Sequence, residues 1–84
     1  MTHQEAFLKD FEEWIETQIK VNESAMQASQ DIWQAEGDPF AKEAYIRYES
    51  RLDAYQFIQG KFANYHAGRA FHDLPDDLFG KRHY

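Results

Sequence analysis

The sequence contains no cysteine. A disulfide framework and any zinc or iron–sulfur site ligated by cysteine are thereby excluded. Two prolines and four scattered glycines are all that punctuate the chain, and no stretch is repeated or of low complexity. Basic residues are scarce as well: nine Lys and Arg stand against fifteen Asp and Glu, a formal charge of −6. Phosphate backbones and anionic lipid are held by cations, so neither nucleic acid nor a membrane is an expected partner. No apolar run approaches membrane-spanning length, and Gln4, Glu5, Lys9 and Asp10 leave no apolar signal core near the start. A soluble, cytoplasmic protein is expected. Its 84 residues make one domain, 1–84, burying roughly 64% of the unfolded surface. Without covalent staples, so short a chain must rely on packing, either within itself or against another copy.

The charge is uneven along the chain. Up to Glu36, eight acids face only Lys9 and Lys20, so this segment carries the entire net −6 and the remainder is balanced. Within it, Phe7, Phe11, Trp14, Gln18, Val21, Ala25, Ala28, Ile32 and Ala35 recur at alternating spacings of four and three, one face of a helix. Leu8, Ile15 and Ile19 widen that stripe. Thr2 and Glu5 form a capping box, so the helix is predicted over 3–36, with Gly37 as its left-handed terminator. Its weakest point is Asn22–Ser24, where Ser24 and Gln27 offer a second capping box, although the periodicity runs through unbroken.

Asp38 and Pro39 restart a helix, predicted over 39–66, with Ala44, Tyr45, Tyr48, Leu52, Tyr55, Ile58, Phe62 and Tyr65 on one broad face. The two-residue link makes the helices antiparallel neighbours, which sets Ala25 and Ala28 against the region of Tyr48, and Phe7, Phe11 and Trp14 near Phe62 and Tyr65. In the remaining segment, 67–84, Pro75 to Gly80 read as one short helical turn, expected to fold back over Phe7 and Trp14. The fold class is therefore all-α: a long antiparallel helical hairpin with a short C-terminal helical turn folded back. Its apolar stripes are wider than one two-helix seam requires. A homodimer closing a four-helix bundle is the expected cover.

Catalytic patterns are missing. No serine sits in a G-x-S-x-G turn, and the glycines form no phosphate-binding loop. Among the four histidines there is neither an H-x-x-x-H nor an E-x-x-H pair; His66, His72 and Asp73 are weak candidates for a metal, with surface or capping roles the preferred reading. No enzyme activity and no cofactor are expected. Tyr45, Tyr48, Arg51 and Tyr55 are residue types enriched at protein interfaces, and Glu12 and Glu16, read as solvent-facing, suit a partner with a basic surface. The function expected is a non-enzymatic interaction or regulatory module. A metal- or small-molecule-binding helical protein, and an acidic mimic of nucleic acid, are the alternatives.

The run from Ala44 to Tyr55, AYIRYESRLDAY, the Gly60-Lys61-Phe62 that follows and the ending from Phe71 to Arg82, FHDLPDDLFGKR, resemble a known family. It consists of small single-domain proteins of streptococci and related lactic-acid bacteria grouped as a domain of unknown function. The resemblance covers the second helix and the tail well and the first helix more loosely. It implies a bacterial, cytosolic, helical protein and transfers no activity, substrate or catalytic residue.

Overall fold

The structure, a computed structural model, describes residues 2–73. Thr2 opens helix α1, His3–Glu36: its hydroxyl accepts the Glu5 N–H and donates to the Glu5 carboxylate, both at 3.1 Å. The helix runs unbroken through Asn22–Ser24. It stops at Gly37, whose φ of 67° suits a residue without Cβ and whose N–H donates to the Trp33 carbonyl at 2.8 Å. Asp38 then caps α2, Pro39–His66, its carboxylate accepting the Phe40 N–H at 2.9 Å. At the far end Gly68 takes a φ of 71°, and the Arg69 N–H reaches back to the Asn64 carbonyl at 2.8 Å. That is the helix-closing pattern in which a left-handed residue satisfies orphan carbonyls.

The helices pack side by side as an antiparallel hairpin. Ile15, Ile19, Leu52 and Phe62 make the buried cluster, with Leu8, Met26, Tyr55 and Ile58 packed against it. Along α1 the seam thus follows Leu8, Ile15, Ile19, Asn22, Met26 and Ser29, which corrects the stripe chosen from the sequence. The physical reason lies in two polar seam residues. Asn22 Nδ2 donates to the Gln18 carbonyl at 2.7 Å and the Ser29 hydroxyl to the Ala25 carbonyl at 2.9 Å. Both return their hydrogen bonds to their own helix, so both can be buried with a partner for the donor. A search for apolar periodicity passes over them and settles on the neighbouring stripe, apolar at every position but Gln18.

The described part of the tail, residues 70–73, turns back onto α2. Asn64, buried at the end of that helix, donates through Nδ2 to the carbonyls of Asp73 at 2.8 Å and Phe71 at 3.4 Å, and Lys61 Nζ donates to Phe71 O at 3.0 Å. The Lys61 ammonium also lies 4.7 Å from the Phe71 ring. The short helical turn expected over Pro75 to Gly80 lies outside the described residues.

The hairpin measures 50 × 29 × 12 Å, so it is only one helix thick. Its radius of gyration is 15.9 Å, against about 12 Å for a compact chain of this length.

Candidate interaction surface

A one-layer hairpin has two broad faces, and here they differ. Each residue advances the helix by about 100°, so positions 7, 11, 14, 18, 21, 25 and 32 form a strip about a quarter-turn from the α1 seam. Two ring contacts fix which side of α2 adjoins it. Phe11 meets Phe62 with centroids 5.1 Å apart, and Trp14 meets Tyr55 at 5.7 Å, both edge to face. The same rotation on α2 then places Phe40, Arg47, Arg51, Ala54, Ile58 and Tyr65 on that side.

These side chains are not covered. Phe7 is 60% exposed, Trp14 51%, Val21 54%, Phe40 76% and Tyr65 59%, with Phe11 and Ile32 also exposed. Scattered apolar residues on a surface are ordinary, whereas a contiguous apolar face on one side of a protein marks a contact surface. The opposite face is mainly polar: on α1 it carries Glu5, Lys9, Glu12, Glu16, Lys20, Glu23 and Gln27, and on α2 Lys42, Glu49, Asp53 and Gln56, while Ile46 and Phe57, each 50% exposed, stand apart along the outer edge of α2.

The residues singled out from the sequence divide between the two faces. Tyr55 and Arg51 border the apolar face, Tyr55 half-buried against Trp14 and Arg51 stacked on the Tyr48 ring at 5.7 Å. Tyr45 leans to the polar side, 5.9 Å from Trp33, over which Lys42 lies at 5.4 Å. Its phenol is held above the ordinary value of 10.0 by its hydrogen bond to Glu49 and by that carboxylate's charge. Glu16 is exposed on the polar face. Glu12 is not free in solvent as expected: half-buried, it meets His66 Nε2 at 2.7 Å and ties the open ends of the two helices together.

That pairing also engages one of the weak metal candidates. His72 lies edge-on to Phe71 at 5.1 Å, while the Asp73 carboxylate accepts the Ala70 N–H at 3.0 Å and lies 3.9 Å from Arg69. Among the described residues, no three side chains of metal-ligating type are grouped to hold an ion. Sequence reasoning missed Asn64 as the anchor of the tail and Phe40 as part of the exposed face. Asn64 gives no apolar signal, and Phe40, just after the helix start, falls outside the stripe read for α2.

A one-layer α-helical hairpin with one apolar and one polar face is the class of protein that fold and surface define. The chain belongs to the family described as a domain of unknown function, DUF1912, whose model matches residues 1–84. Its structure is similar to the crystal structure of SPY1572, a protein of unknown function from Streptococcus pyogenes. The two are 56% identical, with a TM-score of 0.81 over 90% of this chain and 99% of that one. No curated protein matches the chain. Among the described residues, no helix is long and apolar enough to cross a membrane.

Proposed function

We propose that the protein is a non-enzymatic interaction module whose working surface is the apolar face built from Phe7, Phe11, Trp14, Val21 and Ile32 of α1 with Phe40 and Tyr65 of α2. One observation carries this reading: seven of the ten exposed large apolar side chains, Phe7, Phe11, Trp14, Val21, Ile32, Phe40 and Tyr65, are collected on one side of the hairpin and left in water, while the other side is mainly polar. Four of the aromatics, Phe7, Trp14, Phe40 and Tyr65, expose about 500 Å² between them at about 200 Å² per side chain. A standard protein interface takes about 800 Å² from each partner, so the face is of the right scale. With no cysteine and a pI near 5.0, the module suits the cytoplasm.

Hydroxyl-radical footprinting of the full chain in cell extract, compared with the dilute purified protein, tests this. Trp14 and Tyr65 become protected in extract, while Trp33, held within the hairpin by Tyr45 and Lys42, changes little. Equal oxidation of Trp14 and Tyr65 in both samples, at every protein concentration, overturns the reading.

The polar face supports a second, weaker contact, with a partner of basic surface. Glu16 and Glu23 stand exposed there, while Glu5 is bonded to Thr2 and Glu12 to His66. Such a contact fades as salt is added and is lost on Glu16→Lys.

A further inference from the structure

We infer that the occupant of the apolar face is a second copy of this chain, related by a two-fold axis parallel to the helices, so that α1 of each copy lies on α2 of the other. This inference rests on the reading of that face as a docking surface and adds both the partner and its orientation.

Thickness argues for a copy. Stable domains bury their apolar faces between at least two layers, and this hairpin, 12 Å thick, supplies one. A second identical hairpin laid on the apolar face completes a four-helix arrangement and leaves both polar faces outward.

Charge then selects between the two closed ways of laying one such face on another. If the two-fold axis lies across the helices, α1 stacks on α1 and α2 on α2. That arrangement leaves Glu5, Glu12, Glu16 and Glu23 of α1 on the outward polar faces. It also gathers Arg47 and Arg51 of both copies at one seam, since both residues project from the apolar face near the middle of α2. Packed helix axes are about 8–10 Å apart, about one Debye length at physiological ionic strength, so this repulsion is felt. With the axis along the helices, the arginine-bearing stretch of α2 lies instead on Gln18, Val21 and Ala25 of the other copy's α1, and the two arginine pairs stay apart. The steric match follows the same choice. Hairpin register puts Ala25 and Ala28 of α1 level with Arg47, Tyr48 and Arg51, so small side chains of one copy receive the large ones of its partner.

The absence of native cysteine makes the test clean. Gln18 and Ala54 lie at matching heights on the apolar face, one on each helix, and Gln18→Cys and Ala54→Cys are prepared as separate full-length chains. Across the α1-on-α2 contact the two positions face each other, within the reach a disulfide needs, whereas each lies diagonal to its own twin. Under mild oxidation the mixture of the two chains therefore gives a mixed disulfide-linked dimer, and neither variant alone gives a linked product. Self-linked Gln18→Cys or Ala54→Cys dimers overturn the orientation. A folded, helical chain that stays monomeric and unlinked at every concentration overturns the second copy as occupant. If Trp14 is still protected in extract in that case, the interaction-module reading stands with a different partner; if it is not, both fall.

Discussion

Trp14 lies edge-on to Tyr55 across the two helices, 5.7 Å between ring centroids at 85°, and still keeps half of its surface in water. One side chain thus belongs both to the hairpin and to the face the hairpin presents. The residues a quarter-turn away, Ile15 and Ile19, are buried and belong to the hairpin alone.

Truncation distinguishes the two sets. Ile15 has no exposed surface, so Ile15→Ala removes buried methyl groups and opens a cavity, at a cost of about 2–5 kcal/mol. Val21, more than half exposed, has little to lose within a single hairpin, and Val21→Ser changes the stability of the dilute chain by less than about 0.5 kcal/mol. Urea unfolding at low protein concentration measures both. Equal losses at the two positions would show that the seam has been misplaced.

Asn64 governs the turn after α2. Its side-chain amide serves the carbonyls of Phe71 and Asp73 from a buried position, so Asn64→Ala removes the donor to Asp73 and leaves Phe71 with Lys61 alone, at about 0.5–1.5 kcal/mol. Hydrogen exchange checks this locally: the Asp73 amide, bonded to Ala70 O in the wild type, exchanges faster in the variant, while amides in the middle of α1 do not.

Joining the helix ends, the Glu12–His66 pair is partly exposed, and its contribution is accordingly small. A double-mutant cycle with Glu12→Gln and His66→Ala returns a coupling of about 0.2–1 kcal/mol that shrinks as salt is added. A salt-independent coupling would contradict an ionic origin.

Alkaline pH reads out Tyr45. Its phenol is held above the usual value in the folded chain, so the folded state keeps that proton more firmly than the unfolded chain does. The resulting stability is fully present below pH 10.0, the ordinary phenol value, and is lost as the pH rises through the raised one. Thermal unfolding followed from pH about 8 to about 11 therefore shows a smaller alkaline decline in Tyr45→Phe than in the wild type. Identical declines would remove Glu49 as the cause.

The hairpin itself was legible in the sequence, because its determinants are local. Thr2 with Glu5, Gly37, and Asp38 with Pro39 are chemical signals at fixed offsets, and each does in the structure what its chemistry requires. The rotation of α1 about its own axis was not legible. It depends on Asn22 and Ser29 being buried with their hydrogen bonds met inside the helix, a tertiary outcome that periodicity does not record. The stripe chosen instead, from Phe7 to Ile32, marks the outward face, and its apolar character remains the strongest functional signal in the chain. The anchoring of residues 70–73 was not legible either, because it rests on one buried amide, Asn64, that gives no apolar signal.

The most direct measurement is the solution mass of the full chain by sedimentation across a wide range of concentration. The expected result is a species of twice 10.0 kDa that dissociates only on strong dilution, and that Trp14→Glu, placing a charge in the middle of the apolar face, converts to a helical monomer. A wild-type chain that sediments at 10.0 kDa throughout, with its helices intact, would contradict self-association through this face.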